Sequence, residues 1–454
     1  MNLPNYFLAD LPPEATLSPG MIREACQTLK HNRERYLAGR STQNLVTLLG
    51  SVATNWLVPE YPFRKLALEQ GPAASGFSRP TLATGLDAFF RELTSDALNG
   101  LLQQDLGDAG ALDKMILDNA VNRKPRAGIA TGPEFVVHIA AGNLPIPTWM
   151  SIVLGVLARS AQFIKCASGT SFLPRLFAHS LYDAEPKLGA CLELAEWKGG
   201  AVELEESLFE EADCVTATGS DETLVGIQRR LPGRTRFLGY GHRVSFGYVA
   251  KDAITGWNAK TIAERAARDV VAWNQLGCLS PHVIYLQEGG GLTAEKFAEL
   301  LADALGQFEE LEPRGDLPNE TAAGITSRRS FYEVRAAHAP DTRQWCSRNS
   351  TAWTVVYEAD PRFQVSCLNR FIHIKGARDL TDVLQNADAF RGKVSTVGLV
   401  VPEKEAQDVA TQLARWGATR ICPLGQMQNP PLAWRHDGRL ALGDLVRWTD
   451  WETA

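Results

Sequence analysis

The sequence predicts an α/β fold built on parallel β-sheets with helices on both faces. Short apolar segments typical of strands alternate with helical segments, as at residues 135–140, which precede a buried helical segment at 149–158. Turn residues such as Gly, Asn and Pro separate the two kinds of segment. The chain has 454 residues, which is too long for one ordinary core, so we expect two or three domains.

The N-terminal part of the chain predicts helices. Residues 1–110 contain long helical stretches, and Ser18 is expected to cap the first of them. Segment 70–82 is rich in Gly, Ala, Ser and Pro, which predicts a loop. The helical part therefore precedes the first predicted sheet.

The first predicted sheet contains strands that each lead into a helix. Its strands are expected at 135–140, 162–166 and 214–218, and the helices at 149–158, 172–182 and 222–231. Parallel sheets of this kind bind ligands at the carboxyl ends of their strands. The residues that follow these strands are therefore the first candidates for a binding site.

A second α/β region begins near residues 241–245, where we place a soft domain boundary. Its predicted elements are strands at 245–250, 283–286, 352–357 and 394–401, and helices at 259–273 and 403–416. Segment 311–325 is rich in Glu, Pro, Gly, Asp and Asn, which predicts a surface excursion.

Composition and charge exclude several classes of protein. Hydrophobic residues make up 45% and charged residues 22% of the chain, as in soluble globular proteins. The net charge of -6 provides no attraction to nucleic acid, and no segment is long and apolar enough for a membrane span. The start of the chain lacks the pattern of a secretory signal. The eight cysteines are scattered without a C-x-x-C pair, which favours a reducing cytoplasm and predicts no metal site.

Cys278 is the candidate nucleophile. It lies between Gly277 and the pair Ser280-Pro281, directly before a predicted strand. Glycine allows close approach of the backbone to a substrate, and proline keeps the segment non-helical. The thiolate is the reactive form of cysteine, so we expect the site to lower the pKa of this thiol or to hold it near neutrality. A buried loop cysteine fits the same spacing, and from spacing alone it is the more common case.

Asn143 is the candidate for stabilising an oxyanion, because it lies in the turn after the first strand of the sheet. Its amide and the backbone N–H of Cys278 would form a pair of donors. An Asn that only makes the turn is the simpler explanation. His242 and His282 stay open as activators of the thiol, although a structural role is more common for such residues.

Two further turns are candidates for binding a nucleotide. Lys165 and Ser168 close the second strand, where a lysine can reach a ribose or a phosphate. Gly219 and Ser220 open a helix whose N-terminus can hold a phosphate. A solvated strand-end lysine and a plain helix cap explain the same residues. The sequence has no G-x-G-x-x-G after a strand and no Walker loop.

Five segments, taken in order, carry a family resemblance. They are HIAAGNLPIPTW (138–149), FIKCASGT (163–170), ATGSDETL (217–224), TRFLGYGHRVSFGYV (235–249) and NQLGCLSPHVIYL (274–286), with a weaker match at HDGRLALGDLVRWTDWE (436–452). They resemble the aldehyde dehydrogenase superfamily and, more narrowly, the LuxC-type fatty-acyl (acyl-CoA) reductases of bacterial bioluminescence systems. The resemblance covers residues 130–300 well and the ends of the chain more loosely.

The resemblance implies an aldehyde-dehydrogenase-like fold, with a Rossmann-like cofactor domain, an α/β catalytic domain and a small oligomerisation arm. The cofactor-binding domain would comprise residues 1–113 and 134–243, and the catalytic domain residues 244–425. The arm would comprise residues 114–133 and 426–454. A homo-oligomer is therefore expected.

The resemblance also implies a role for each candidate residue. Cys278 matches the family nucleophile, and Asn143 matches the Asn that stabilises the oxyanion. Lys165 matches the lysine that contacts the adenosine end of the cofactor. Gly219 and Ser220 match the helix start that faces the pyrophosphate.

Two departures from the superfamily pattern bear on the reaction. Aldehyde-oxidising members carry a Glu that activates the hydrolytic water, but Gly239 occupies that position here. Without a general base, water is poorly activated against an acyl-enzyme, which favours attack by hydride or by a thiol. The E-E-I-F-G-P segment, whose Glu holds the nicotinamide ribose, is missing near residues 361–370.

The residue at position 168 indicates which cofactor to expect. Ser168 stands where NAD-selective members often carry a Glu that binds the ribose hydroxyls. No carboxylate at that position repels a 2′-phosphate, and a hydroxyl can hydrogen-bond it. We therefore expect NADPH, with NADH as the alternative.

The resulting hypothesis is NADPH-dependent reduction of an acyl thioester to a fatty aldehyde through an acyl-Cys278 intermediate. The acyl donor would be acyl-CoA or an acylated carrier or synthetase protein. Two alternatives stay open: an acyl-phosphate reductase of the same superfamily and a non-catalytic acyl-transfer scaffold. Substrate assays distinguish the first alternative, and tight nucleotide binding would exclude the second.

Overall fold

A computed structural model describes residues 3–12, 14–118 and 126–452 of the chain. Its N-terminal part contains five α-helices: α1 (Pro19–Tyr36), α2 (Thr42–Leu57), α3 (Pro62–Ser75), α4 (Arg79–Glu92) and α5 (Ser95–Leu106). The Ser18 side chain accepts a hydrogen bond from the backbone N–H of Met21, which satisfies a donor at the start of α1. The predicted helices and the predicted cap are therefore confirmed.

The predicted loop at 70–82 is wrong over most of its length, because α3 and α4 cover all but residues 76–78. Gly71 lies at a contact between these helices, where a β-carbon would come within 2.8 Å of Leu82 Cδ1. Gly76 ends α3 with a φ of 75°, a conformation that favours glycine. The small residues of this segment serve helix packing as well as the turn.

The first strands in the chain are β1 (Ile116–Asp118) and β2 (Arg126–Thr131), which pair antiparallel. The next five strands are β3 (Phe135–Ile139), β4 (Ala161–Cys166), β5 (Leu192–Glu196), β6 (Cys214–Thr218) and β7 (Arg236–Tyr240). These five form a parallel sheet in the order β5-β4-β3-β6-β7. The order reverses between β3 and β6, so the ligand crevice of such a sheet lies beyond the ends of these two strands.

Five helices belong to this first sheet: α6 (Ile146–Leu157), α7 (Phe172–Ala184), α8 (Pro186–Gly189), α9 (Val202–Phe209) and α10 (Asp221–Gln228). Helices α2 to α5, which we call the helical layer, pack against it through a shared apolar core that contains the buried side chains of Trp56, Phe90, Trp149 and Phe177. Large aromatic side chains of this kind dominate core energetics. The helical layer is therefore fixed to one face of the first sheet. Helix α1 instead packs on the opposite face through Ile22, Cys26 and Leu29.

The second sheet contains β8 (Val244–Val249), β9 (Pro281–Gln287), β10 (Thr342–Cys346), β11 (Thr354–Glu358), β12 (Phe371–Ala377), β13 (Val394–Val400) and β14 (Arg420–Pro423). Its order is β10-β11-β12-β9-β8-β13-β14, and only the β10–β11 pair is antiparallel. Its helices are α11 (Ala259–Val271), α12 (Ala294–Leu311), α13 (Asn319–His338), α14 (Leu380–Asn386) and α15 (Glu403–Trp416). Across the described part of the chain, no helix is both long and apolar enough to cross a membrane.

The predicted α/β fold with parallel sheets is confirmed, and most residues of the predicted surface segment 311–325 are exposed, although part of the segment is helical. Of segment 311–325, only residues 312–318 are irregular, because α13 begins at Asn319 with Glu320 in its first turn. An acidic residue in that position is favourable beside the helix N-terminus.

The last strand, β15 (Arg447–Glu452), pairs antiparallel with β2 and completes a third, three-stranded sheet. Residues 119–125 and 453–454 of the predicted oligomerisation arm lie outside the described residues. The three sheets fall within the ranges expected for the arm, the cofactor domain and the catalytic domain. The functions assigned to these ranges stay predictions.

Candidate active site

A shallow cleft lies beyond the carboxyl ends of β3 and β4. It is lined by residues 140–145 after β3, by Gly169 and Thr170 after β4, and by Phe77 from the helical layer. Asn143 is among the residues that line this cleft.

The loop that carries Cys278 has an unusual backbone. After α11 the chain turns through Trp273, Asn274 and Gln275, which have φ values of 51°, 53° and 64°. Three consecutive non-glycine residues in the left-handed region are unfavourable unless their surroundings hold them. The segment 272–287, which we call the nucleophile loop and its strand, therefore depends on specific contacts.

Gln275 provides the main contact. Its fully buried Nε2 donates hydrogen bonds to Pro281 O at 2.8 Å and to Phe371 O at 2.9 Å. Its Oε1 accepts the backbone N–H of Phe371 at 2.8 Å. The side-chain amide thus pairs with the backbone of Phe371 in β12 as the backbone of a neighbouring strand would.

The two residues before Gln275 are held as firmly. The Asn274 side chain donates to Arg314 O at 2.7 Å and accepts from Arg370 Nε at 3.2 Å. The Trp273 ring packs against Gly85 of α4 so closely that a β-carbon at Gly85 would lie 2.0 Å from Cζ2. The loop is therefore fixed to the helical layer and to the second sheet.

Cys278 is half-buried, just before the start of β9. Its carbonyl oxygen accepts a hydrogen bond from Ser245 Oγ at 2.7 Å. Loss of hydration and, second, the negative charge of Asp437 raise the pKa of the Cys278 thiol to about 11. The expected lowering of this pKa is wrong for this structure, because its own backbone N–H, Ser395 and Arg243 oppose the rise only in part.

Asn143 reaches the nucleophile loop from the first sheet. Its side chain is exposed, and Nδ2 donates a hydrogen bond to the carbonyl oxygen of Leu276 at 2.9 Å. An amide nitrogen carries two hydrogens, so one donor remains for a second acceptor. The structure therefore brings Asn143 to within two residues of Cys278 along the loop.

Lys165 and Ser168 lie at the carboxyl edge of the first sheet. Lys165 is buried, its Nζ lies 5.7 Å from the centre of the Trp197 ring, and burial lowers its pKa. Ser168 is exposed. A carboxylate comes from the neighbouring strand instead, since Glu196 accepts the backbone N–H groups of Gly169 at 2.5 Å and of Ser171 at 3.3 Å.

Gly219 and Ser220 form an ordinary helix start. The Gly219 N–H donates to Tyr240 O, and Ser220 Oγ accepts the backbone N–H of Thr223. The next residue, Asp221, accepts from Lys393 Nζ at 3.0 Å and from the backbone N–H of His242 at 3.2 Å. These contacts join the first sheet to the second and direct the Asp221 charge towards a cation.

Two candidate thiol activators do not show that role. His282 Nδ1 accepts the backbone N–H of Ser366 at 3.1 Å, and burial lowers its pKa to about 4. The His242 side chain is exposed, and its backbone is engaged by Asp221. Neither imidazole hydrogen-bonds Cys278 among the described contacts.

Sequence reasoning missed Gln275, which holds the nucleophile loop, and Asp437, whose charge contributes to the raised pKa of Cys278. Gln275 and Asp437 lie within the family segments 274–286 and 436–452. A glutamine or an aspartate in a sequence does not by itself show which residue it acts on. Asp437 precedes a glycine, and an Asp-Gly pair is a turn signal that places it at the surface of a fold, not in a site. In the described ranges, no three His, Cys, Asp or Glu side chains are grouped as a metal site.

Comparison with known proteins adds family and fold. The family described as acyl-CoA reductase (LuxC) matches residues 37–448. The chain is 23% identical to the long-chain acyl-protein thioester reductase of Aliivibrio fischeri, covering 90% of this chain and 82% of that protein. It is also 23% identical to the long-chain acyl-protein thioester reductase 2 of Photobacterium leiognathi, with coverages of 94% and 85%.

Solved structures show the same fold at lower sequence identity. A putative aldehyde dehydrogenase PutA from Anabaena variabilis superimposes with a TM-score of 0.71 at 15% identity, covering 97% of this chain and 94% of that one. A NAD-dependent benzaldehyde dehydrogenase from Corynebacterium glutamicum gives a TM-score of 0.70 at 13% identity, with coverages of 96% and 91%. The aldehyde-dehydrogenase-like fold expected from the sequence is therefore confirmed.

Proposed function

This chain belongs to the LuxC family of acyl-CoA reductases, and we propose that it reduces an acyl thioester to a fatty aldehyde with a reduced nicotinamide nucleotide. Family membership makes the protein an oxidoreductase that acts on acyl substrates. We also propose that Cys278 is the nucleophile, that Asn143 is the oxyanion donor, and that an acylated protein or acyl-CoA is the acyl donor.

One observation carries the assignment of the site. Asn143 projects from the first sheet onto the loop that presents Cys278, and its amide donates to Leu276 O at 2.9 Å. Acyl transfer requires a nucleophile and a donor for the oxyanion. A thiol and an amide donor on facing edges of the two sheets supply these two groups. Asn143 also lines the cleft beyond β3 and β4, whereas Cys278 is not among the residues that line it.

Acyl transfer is the first step of the proposed reaction. Cys278 Sγ attacks the thioester carbonyl, and the developing oxyanion receives hydrogen bonds from Asn143 Nδ2 and from the Cys278 backbone N–H. The carbon–sulfur bond to the donor thiol then breaks, and that sulfur leaves with the proton from Cys278. The product is an acyl-Cys278 thioester.

Reduction is the second step. A reduced nicotinamide nucleotide, held by Lys165, Gly219 and Ser220, would supply the hydride that the acyl carbon requires. The same two donors then hold the oxyanion of the thiohemiacetal until it collapses to aldehyde and the Cys278 thiolate. With Gly239 in place of a carboxylate on β7, no side chain at that position activates water against the acyl-enzyme.

The cofactor is proposed to be NADPH, with NADH as the alternative. The edge beyond β4 fits a nucleotide, because Gly142 lets the backbone pass close to the next turn: a β-carbon there would lie 3.3 Å from Ala167 Cβ. Lys165 would hold its adenosine end and Gly219 and Ser220 would face its pyrophosphate. The carboxylate of Glu196 lies at the same edge. Assays should therefore compare NADPH with NADH.

The acyl donor is proposed to be an acylated protein or acyl-CoA. The curated relatives are long-chain acyl-protein thioester reductases by name, which supports the acyl-protein as the first substrate to assay. We also propose that β1, β2 and β15 form an oligomerisation arm. On β15, Trp448 and Trp451 are 46% and 55% exposed, so a second chain would have apolar surface to cover.

The test is aldehyde formation from acyl-protein, acyl-CoA and acyl phosphate with each nucleotide. Cys278→Ser should abolish aldehyde formation and leave nucleotide binding intact. Cys422→Ser is the matched control, because that thiol is also half-buried and burial raises its pKa to about 11 as well. Wild-type activity in the Cys278→Ser variant would overturn the proposal, and reduction of acyl phosphate alone would favour the related reductase class.

A further inference from the structure

Cys278 lies in a tight turn that sets the direction of its backbone N–H. The backbone N–H of Ser280 donates to the carbonyl oxygen of Gly277 at 3.0 Å, which closes a β-turn that we call the Cys278 turn. Cys278 and Leu279 occupy its two central positions. In a trans peptide the C=O and the N–H point in opposite directions. Because the Gly277 carbonyl points into the turn, the N–H of Cys278 points out of it, where an oxyanion can accept its hydrogen.

The side-chain amide of Gln428 contacts both ends of the Cys278 turn. At one end, Gln428 Nε2 donates a hydrogen bond to Ser280 Oγ at 2.5 Å. At the other end, a β-carbon on Gly277 would lie 3.1 Å from Gln428 Oε1 and 3.3 Å from Leu144 Cδ1. Both separations are shorter than an ordinary packing contact, so only glycine fits between the amide and the leucine. The turn is therefore enclosed by the first sheet on one side and by Gln428 on the other.

Two buried charged residues fix the segment that carries Gln428. Asp269 of α11 is 1% exposed, and its carboxylate accepts the backbone N–H groups of Gly425 at 2.5 Å and of Met427 at 2.9 Å. Arg420 of β14 donates to the carbonyl oxygen of Met427 at 2.6 Å. Hydrogen bonds to charged groups are stronger than neutral ones. The residue before Gln428 is thus held at both its N–H and its C=O, which fixes the position from which the Gln428 side chain extends.

The two peptide groups that flank Cys278 have different supports. The peptide after it is held by Ser245, whose buried hydroxyl donates to the Cys278 carbonyl oxygen at 2.7 Å and accepts the backbone N–H of Thr396 at 3.1 Å. The peptide before it carries the N–H of Cys278. That peptide is fixed by the backbone bond of the turn and by the contacts of Gln428 with Gly277 and Ser280. Gln428 therefore supports the peptide whose N–H is the proposed oxyanion donor.

We propose that Gln428 is a positioning residue for acyl transfer, an inference that rests on the proposed function. Its amide holds the Cys278 turn, and with it the direction of the Cys278 N–H towards the developing oxyanion. Gln428 itself exchanges no proton and no electron. Its contribution therefore belongs to reactions that form an oxyanion at the acyl carbon, and not to reactions of the Cys278 sulfur that form none.

The experiment compares two reactions of Cys278 in the full chain without nucleotide: acylation by a long-chain acyl-CoA and alkylation by iodoacetamide. Acylation forms an oxyanion, whereas alkylation displaces iodide from a saturated carbon and forms none. In Gln428→Ala, the acylation rate at saturating acyl-CoA should fall about tenfold, because a misdirected donor stabilises the transition state less. The half-saturating concentration of acyl-CoA should not change. Alkylation should stay within about twofold of the wild-type rate, because the thiol itself is untouched.

Ser280→Ala tests the same contact from its other side. It removes the hydroxyl that the Gln428 amide binds and leaves the backbone bond of the turn in place. Acylation should again fall about tenfold, and the double variant should be about as slow as either single variant, not about 100-fold slower, because both changes remove one interaction. Gln426→Ala is the matched control from the same segment and should be acylated at the wild-type rate. Its exposed side chain accepts a hydrogen bond from Asn429 instead.

Acylation of Gln428→Ala at the wild-type rate would overturn the inference. Equal losses of acylation and alkylation would overturn it too, because a general loosening of the loop affects both reactions alike. Should Gln428→Ala fail to fold, Ser280→Ala decides by the same two rates. A wild-type protein that gains no acyl group on Cys278 would instead refute the proposed function itself.

Discussion

The nucleophile loop and the proposed nucleotide edge differ in how firmly they are held. The nucleophile loop passes through three left-handed residues that are tied by buried amides, above all by the three hydrogen bonds of Gln275. At the nucleotide edge, the turn after β4 contains the exposed Ser168 and is held by two hydrogen bonds to Glu196 and two from Thr170 to Ala167 O.

This difference corresponds to the different tasks proposed for the two regions. A nucleophile must stay within a few tenths of an ångström of its attack geometry. A strained loop can achieve this only when several contacts with its surroundings fix its conformation. A nucleotide must enter and leave in every turnover, so its site benefits from an open edge. Damage to the first region should therefore reduce the chemical step, and damage to the second should reduce nucleotide affinity.

The largest effect is expected for Gln275→Ala. It leaves the N–H of Phe371 and the carbonyl of Pro281 without their buried partner, which should lower the free energy of unfolding by about 4 kcal/mol. A displaced Cys278 should also reduce acylation about 100-fold. Chemical denaturation and stopped-flow acylation measure the two effects. Gln428→Ala removes one hydrogen bond, to Ser280, and should lower the free energy of unfolding by about 1 kcal/mol. An equal loss of stability in the two variants would contradict the special role of Gln275 in holding the nucleophile loop.

Asn143→Ala is expected to change stability less than Gln275→Ala does, and to reduce the rate of acylation. The side chain is exposed, so the melting temperature should stay within the error of the wild type. Loss of an oxyanion donor should reduce acylation about 100-fold. Asn429→Ala, which changes another exposed asparagine, should leave the rate unchanged. An unchanged acylation rate in Asn143→Ala would remove Asn143 from the site.

The smallest effect is expected at the nucleotide edge, for Lys165→Met. Methionine keeps the apolar stem over Trp197 and removes a buried charge, so stability should be equal or higher. The Kd for NADPH should increase about tenfold, because a charge-assisted contact is lost. Acylation without nucleotide should not change. Calorimetric titration tests this, with the exposed Lys187→Met as control; a slower acylation would show that the two regions are not separable.

The sequence predicts the parallel sheets well because their strands are buried on both faces. Residues 135–139 form a continuous apolar run apart from His138; the first four are buried in the sheet and Ile139 is half-buried. The cap at Ser18 was likewise predictable, since its partner lies three residues away. Local signals therefore sufficed wherever the deciding contact was local.

The surroundings of the site were less predictable because they depend on distant partners. Asn274 is of a residue type that tolerates the left-handed region, but Trp273 and Gln275 are not, and the run of three exists only because α4 and β12 hold it. The carboxylates of Glu196 and Asp437 come from segments far from the residues that they act on. The error at 70–82 has the same origin, since helix packing and not turn formation selects Gly71.

The most direct test of the account is the mass of the intact protein after incubation with a long-chain acyl thioester and no nucleotide. We expect one acyl group per chain, attached to Cys278 by peptide mapping and released as aldehyde when NADPH is added. An adduct on another cysteine, or aldehyde release that proceeds without any acyl group on Cys278, would contradict the account.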